Sequence, residues 1–392
     1  MRIFYFARID LSVEDAKMRH VFEVCRQFAR AGHEVFLFVP DLGHRRRVEG
    51  VTFVPVPVGV RKSSFTFFSF YFFLFFYFLY YYFRFKPDVV YTRHQQMEWL
   101  VTWLKLVLGF VYAIEVNGLS LVELKLNSAP AWIVEVTRRM EAICFRLPDL
   151  LVVPTVQIRD RLCRSYGLDP NGFLVVSNGT NPSVCRPMDP EVCREKLGLD
   201  PKGRYLLFMG SFKKWHGILE VIRIMPELAH DHPDLRLLAI GDGELRREAE
   251  NLVEELGLRG RVILFGKKPY DEVPVYINAA DLCLAPFFDE RSHLTGLSPL
   301  KIFDYMACAR PVVSNAVGGL EELFRIHGVG EAVPSDDPRS WVRAIGRLID
   351  DPRRMREYGE NGRKAVMNEF NWESVCGKIE KTLESLLSLK SK

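Results

Sequence analysis

The sequence offers little that would tie a chain of 392 residues to a metal, a secretory route or a nucleic acid. Its eight cysteines, Cys25, Cys144, Cys163, Cys185, Cys193, Cys283, Cys308 and Cys376, form no C-x-x-C pair, and no histidine stands at metal-ligand spacing. That argues against a zinc site and leaves the metal ligand set empty. Their scatter through apparent helices and strands reads as small buried hydrophobes of a reducing compartment, so the expected location is cytoplasmic. No apolar h-region precedes the opening run Ile3 to Phe6, which reads as a strand rather than a signal peptide. A net charge of +4 is too small to indicate nucleic-acid binding. Ala7 to Lys17, after that first strand, has no glycine, which disfavours dinucleotide binding there.

What is present describes a globular chain. Hydrophobic residues make up 48% and charged residues 26%, and the length is enough for two cores. The charge is unevenly spread: residues 1–190 carry 23 Lys and Arg against 17 Asp and Glu, the remainder 30 against 32. A basic first half suits an anionic surface such as phospholipid, and a solvated face with surplus Lys and Arg fits equally well.

Short apolar runs alternate with helical patterns, the order that gives parallel sheets through right-handed crossovers. Strands are predicted at Ile3–Phe6, Val35–Val39, Thr52–Val56, Val89–Tyr91, Tyr112–Val116, Leu150–Val153 and Leu174–Val176. A second series follows at Tyr205–Met209, Leu235–Ile240, Val262–Phe265, Leu282–Ala285 and Pro311–Ser314. The fold class is therefore α/β, with two Rossmann-like doubly wound sheets. Gly179 to Pro201, with Pro182, Pro187, Pro190 and Pro201, is expected to resist regular structure and to serve as the linker. Helical patterns fill Pro338 to the end.

One segment stands apart. Phe65 to Phe83 holds 15 Phe or Tyr in 19 residues, flanked by Arg61, Lys62, Arg84 and Lys86. It is long enough to span a bilayer. Spanning, however, would part the first three strands from the rest of their sheet. An aromatic helix with basic flanks suits a monotopic contact with the cytoplasmic face of a membrane; a wholly internal helix is the other reading.

The stretch from Thr295 through Ala307 carries the most chemistry. Ser298 reads as an N-cap and Pro299 as the first helical position, which aims the amides of Leu300 and its neighbours at the preceding loop. A helix start of this kind is an anion site. Lys301 opposes the helix dipole unless an anion is bound, and Asp304 stands where a carboxylate could hold a ribose. An ordinary capped helix fits the same residues. Gly210, Lys213, Lys214 and His216 follow the first strand of the second half, where a ligand crevice lies; Lys213 and Lys214 could neutralise a phosphate leaving group and His216 could add a hydrogen bond. Gly241-Asp242-Gly243 is a lone Gly-x-Gly. In the first half, Arg93-His94 and Glu115-Val116-Asn117-Gly118 offer polar groups at strand ends.

Together these stretches resemble the family 4 glycosyltransferases, retaining enzymes of GT-B architecture in glycosyltransferase group 1. Ser298-Pro299-Leu300-Lys301 through Met306-Ala307, with Pro311-Val312-Val313 and Gly318-Gly319-Leu320-Glu321, carries the strongest match. Arg30 to Val35, Ser177-Asn178-Gly179, Ile240 to Gly243 and Phe265-Gly266 recur at the family's places. The chain departs from the pattern in putting Gly296 and Asp304 where two glutamates are common. Asn117 stands where many relatives carry a histidine. Ser211 and His216 replace the usual basic pair.

The resemblance implies two Rossmann-like domains facing across a cleft. Residues 1–180 would bind the acceptor and carry the aromatic segment 65–83, 201–370 would bind the nucleotide sugar, and 371–392 would return as a helix bracing the first domain. Lys213, Asp304, His216 and Asn117 are the expected catalytic residues. Arg93, Gly118, Asn178, Gly210, Lys214, Gly241, Gly266, Ser298, Pro299, Leu300 and Lys301 are the expected substrate-binding ones. The partners are a nucleotide-sugar donor, a glycan or lipid-linked acceptor and an anionic membrane, with no cofactor. A sugar-nucleotide epimerase of the same fold and a non-catalytic membrane scaffold are the alternatives.

Overall fold

In the computed structural model, residues 1–43, 46–59, 64–94, 99–126, 128–288, 296–334 and 337–390 are described. Arg61 and Lys62 lie outside them. The chain divides at Ser177 and again at Asn371 into two units: Met1–Ser177 with Trp372–Lys392, and Asn178–Asn371.

The first unit is built on seven strands: β1 (Arg2–Phe6), β2 (Glu34–Pro40), β3 (Val51–Val56), β4 (Val89–Arg93), β5 (Val111–Glu115), β6 (Leu150–Val153) and β7 (Phe173–Val175). Their order is β3-β2-β1-β4-β5-β6-β7, and every pairing is parallel. The central strands are almost wholly buried, as strands covered by helices on both faces must be. Helix Ala16–Arg30 starts where the Asp15 carboxylate accepts from the Met18 amide at 2.8 Å.

The aromatic segment forms the helix Ser64–Phe85, which joins β3 to β4 of one sheet. Phe70, Tyr71, Leu74 and Phe78 are buried, whereas Phe72, Phe76, Tyr80 and Phe83 are exposed. Among the described residues no helix is long and apolar enough to cross a membrane. The last helix, Trp372–Lys390, packs on this unit: the Trp372 ring meets His20 edge-on at 5.0 Å, and Glu380 Oε1 lies 2.8 Å from His33 Nε2.

The second unit has six parallel strands: β8 (Arg204–Met209), β9 (Leu235–Ile240), β10 (Val262–Gly266), β11 (Leu282–Ala285), β12 (Val312–Asn315) and β13 (Gly330–Val333), in the order β10-β9-β8-β11-β12-β13. Two expectations need correction. Within the stretch expected to resist regular structure, Pro190–Lys196 is a helix. Proline at the first helical position loses no hydrogen bond, and Asp189 caps the turn by accepting from the Glu191 and Val192 amides at 2.9 and 3.3 Å. Strand β13 was not expected. It is four residues with only one valine, and Gly330 lets it approach β12, since a Cβ there would fall 1.8 Å from the Val312 oxygen.

In both sheets the strand order reverses beside the first strand, between β1 and β4 and between β8 and β11. Such switch points are where open α/β sheets bind ligands.

Candidate functional site

At the second unit's switch point, the loops after β8 and β9 are zipped together through backbone. Gly210 donates to the Ile240 oxygen at 3.1 Å, Phe212 to the Asp242 oxygen at 2.9 Å, and Leu245 to the Phe212 oxygen at 3.0 Å. Glycine is required at this approach, because a Cβ on Gly241 would fall 1.8 Å from the Gly210 oxygen. Gly241 in turn donates to the Gly266 oxygen at 2.9 Å, which ties the end of β10 into the same cluster. The Gly-x-Gly is thus a packing device between strand-end loops.

The Gly210 loop carries the basic residues. The His216 ring lies over Gly210, so close that a Cβ there would come within 2.8 Å of Nδ1. Lys213 is half-buried with its ammonium 4.9 Å from the centre of the Trp215 ring, whereas Lys214 is exposed. Gly217 is left-handed at φ 69° and ends this turn before the helix Ile218–Asp231.

Helix Leu300–Ala307 begins one residue later than expected. Pro299 is its N-cap, with no side-chain cap, and Ser298 is occupied otherwise. Its hydroxyl accepts from the Asn178 amide at 2.9 Å, and its carbonyl accepts from Asn178 Nδ2 at 2.6 Å. Asn178 and Ser298, both expected at substrate, hold each other; the pairing fixes the turn that leads into the helix. Leu297 donates to the Gly318 oxygen at 2.8 Å, so the Gly318 turn backs the same segment.

Lys301 is only 8% exposed. Its Nζ sits 4.6 Å from the centre of the Phe287 ring and 5.4 Å from that of Phe208, and it has no hydrogen-bond partner among the described residues. Burial pushes its pKa down to about 7. Phe208 is on β8 and Phe287 follows β11, so the ammonium lies at the switch point itself.

Asp304 differs from expectation. It is fully buried, and Oδ1 accepts from the Thr180 hydroxyl at 2.6 Å, from the Tyr270 hydroxyl at 3.3 Å and from the Cys185 thiol at 3.6 Å. With the residue buried and Oδ1 engaged by interior donors, Asp304 is held within the unit's interior in this structure. Its role is to tie the segment after Asn178 and Tyr270 to the helix. No local signal marked Thr180 or Tyr270 as its partners.

At the first unit's switch point, Arg93 ends β4 and pairs in register with Glu115 of β5. Arg93 Nη1 is buried without a partner among the described residues. Burial alone would raise the Glu115 pKa, yet it falls to about 2, because His20 at 2.5 Å, the Arg93 charge and the Asn117 amide outweigh that effect. The Tyr91 and Tyr5 hydroxyls donate to Glu115 Oε2 at 3.1 and 3.4 Å. Asn117 is therefore held by a buried acid, and Gly118 follows directly, with Glu123 Oε1 3.4 Å from the position a Cβ would take. Sequence reasoning missed His20; a histidine on the buried face of a helix was its only trace.

Among the described residues no group of His, Cys, Asp and Glu could hold a metal ion.

Two family descriptions match the chain in tandem: Glycosyltransferase Family 4 over residues 18–184 and Glycosyl transferases group 1 over 189–365. Curated relatives include D-inositol 3-phosphate glycosyltransferases of Rhodococcus jostii, 30% identical over 58% of this chain and 50% of theirs, and of Thermobispora bispora, 30% identical over 59% and 54%. The chain thus spans about half the length of the curated relatives it matches. Among solved structures, a sucrose-phosphate synthase from Thermosynechococcus elongatus is similar with TM-score 0.81 at 23% identity over 99% of each chain. Anabaena HepE in complex with UDP gives 0.77 at 14%, over 98% of this chain and 100% of that one. WaaG, a glycosyltransferase involved in lipopolysaccharide biosynthesis, gives 0.74 at 17%, over 97% and 99%. At these identities the structures speak for the fold.

Proposed function

We propose, from the premise that the chain belongs to the family 4, group 1 glycosyltransferases of GT-B fold, that it moves a sugar from a nucleotide-sugar donor held by the second unit to an acceptor held by the first. The observation that carries this reading is Lys301, an almost fully buried ammonium without a partner among the described residues, at the switch point of a parallel sheet. A buried charge left alone is unfavourable by several kcal/mol, and a diphosphate would supply its counter-charge. The bound UDP of the HepE structure agrees with a donor of this class.

Lys213 and His216, on the loop after β8, would meet charge developing on the leaving diphosphate, with Lys214 at its edge. Leu300 and Pro299 set the helix start beside it. Arg93 and Asn117, fixed on Glu115, would orient acceptor or sugar. Family membership carries the expectation of retained anomeric configuration and of leaving-group phosphate taking the acceptor's proton.

The finer reading is a peripheral membrane contact that brings a lipid-linked acceptor within reach. Phe72, Phe76, Tyr80 and Phe83 follow helical spacing on one exposed stripe, with Arg84 and Lys86 exposed at its end. The neighbouring helix Trp99–Leu108, bonded through the Tyr82 hydroxyl to the Leu108 oxygen, exposes Trp103, Leu106 and Val107. Apolar side chains bordered by cations match an anionic lipid surface.

Calorimetric titration with UDP and with GDP tests the donor site. One of them is expected to bind, with affinity lowered about tenfold or more in Lys301→Met. A scaffold binds neither. NMR of donor incubated without acceptor separates the epimerase, which alone would accumulate an isomeric sugar nucleotide.

A further inference from the structure

The first unit contains a cavity of about 90 Å³ that no step above uses. The residues that line it come from segments following β4, β5 and β6: His94, Ser120 and Lys125, Glu141 from helix Ala131–Cys144, and Arg161 and Tyr166 from helix Val156–Tyr166. One water needs about 10–15 Å³, so the space admits a small molecule or the head of a larger one.

Its electrostatics are unbalanced. Among the described residues that line it the one acid, Glu141, is already committed: Oε1 lies 2.9 Å from His94 Nε2, which is also 3.1 Å from Ser120 Oγ, and Oε2 accepts from the Tyr166 hydroxyl. Burial pushes the Glu141 pKa up, yet these hydrogen bonds prevail and hold it below the ordinary value. The acid is thus a charged and fully bonded floor. Asp160, the nearest acid in sequence to Arg161, pairs with Arg159 at 2.8 Å. Lys125, exposed, and Arg161, half-buried, line the same cavity, and neither side chain has a hydrogen bond or ion pair among the described residues.

We infer that this cavity binds a compact oxyanion, a phosphate or carboxylate group, gripped by the Arg161 guanidinium and Lys125 ammonium above the Glu141 floor. Arg161 and Lys125 both line this concavity, and its described acid, Glu141, is taken up by His94 and Tyr166, so the cations outnumber the acid there; that surplus disfavours a metal ion and adds nothing for a neutral sugar. A guanidinium offers an oxyanion paired donors. Taking that group as the charged end of the acceptor rests on the acceptor reading of the first unit; the oxyanion site itself does not.

The test is titration calorimetry of the full chain with inorganic phosphate and, separately, acetate, at ionic strength held constant with NaCl. Saturable binding is expected, and the tighter of the two arms separates phosphate from carboxylate. Arg161→Gln should weaken it about tenfold or more. Lys125→Gln, at an exposed position that cannot disturb the core, should weaken it too, with the circular dichroism spectrum and thermal midpoint of both variants unchanged. No saturable binding by the wild type, or unaltered binding by both variants, overturns the site. UDP and GDP titrated into the same variants should bind as they do to wild type. A wild type that ignores both nucleotides but keeps Arg161-dependent phosphate binding sinks the donor reading and supports this one.

Discussion

The hydroxyl of Thr180 donates to Oδ1 of Asp304 at 2.6 Å, and both residues are buried. This bond fastens the start of the second unit to the helix that opens at Leu300. Removing its acceptor leaves interior donors without a partner, and a hydrogen bond to a charged group contributes about 1.5–3 kcal/mol. Thr180→Val, which removes that one bond, is expected to lose stability in that range in urea melts, and Asp304→Ala to lose more, because Tyr270 and Cys185 lose the same acceptor. The double variant should lose little beyond the larger single, because one bond is removed once. An Asp304→Ala protein as stable as wild type but unable to bind nucleotide would restore the ribose role.

Much of the fold was legible because buried parallel strands read as continuous apolar runs. Leu235–Ile240 and Leu282–Ala285 stand where the pattern puts them. Strand β13 was not, since its pairing depends on a glycine meeting a neighbouring backbone, and the helix at Pro190 was hidden by proline's double meaning as breaker and first helical residue. At the site, Lys301 was visible as a cation in the wrong half of a helix dipole. Its aromatic surroundings were not visible, because Phe208 comes from β8, distant in sequence, and Phe287 from the segment after β11 that the fold brings back to the helix. For the same reason Asp304 looked like a ribose ligand: motif spacing places a carboxylate on a helix, while tertiary donors such as Thr180 and Tyr270 decide whether it is free to act.

Lys301 predicts a pH dependence of stability. Its pKa is about 7 in the folded chain and near 10.5 when unfolded, so between those values the unfolded chain holds a proton that the folded chain lacks. Stability from this residue is therefore full above the unfolded value and is lost as pH falls toward about 7. Thermal midpoints measured from pH 7 to 9 should climb in wild type relative to Lys301→Met, whose contribution is flat. Parallel curves for the two proteins would show that the ammonium has a counter-charge after all.

The same ammonium links nucleotide affinity to pH. A diphosphate favours the protonated form, so above about pH 7 binding takes up a proton and affinity falls by up to about tenfold per unit. Titrations in buffers of different ionisation heat would count that proton, and a binding constant unchanged between pH 7 and 8 would remove Lys301 from the donor site.

Lys213 is half-buried against Trp215, whereas Lys214 stands in solvent. Lys213→Ala should lower sugar-nucleotide turnover by at least about tenfold, or about 1.4 kcal/mol, with a smaller effect from Lys214→Ala. Equal turnover in wild type and Lys213→Ala would transfer the phosphate-facing role to His216.

Glu115 shifts in the same direction as Lys301, in a more acidic window. Its pKa of about 2 lies below the ordinary 4.5, so the stability it contributes is present above 4.5 and lost as pH falls through about 2. Acid unfolding of wild type should show a steeper loss across that window than Glu115→Gln, followed by fluorescence. Superimposable acid curves would mean that the His20 pair does not persist in solution.

The exposed stripe of Phe72, Phe76, Tyr80 and Phe83 has a direct test in vesicle sedimentation. Anionic vesicles at low salt should retain the wild-type protein and neutral ones should retain less, because exposed Arg84 and Lys86 border the aromatic face. Each ring transferred from water to lipid contributes about 1.5–3 kcal/mol when fully buried, so replacing Phe72, Phe76 and Tyr80 together by serine should weaken retention by at least about tenfold even with partial insertion. Raising the salt should weaken wild-type binding through the cations without abolishing the apolar part. A wild-type protein that stays in the supernatant with anionic vesicles at low salt would leave the stripe to a protein partner and remove the membrane from this protein's reach.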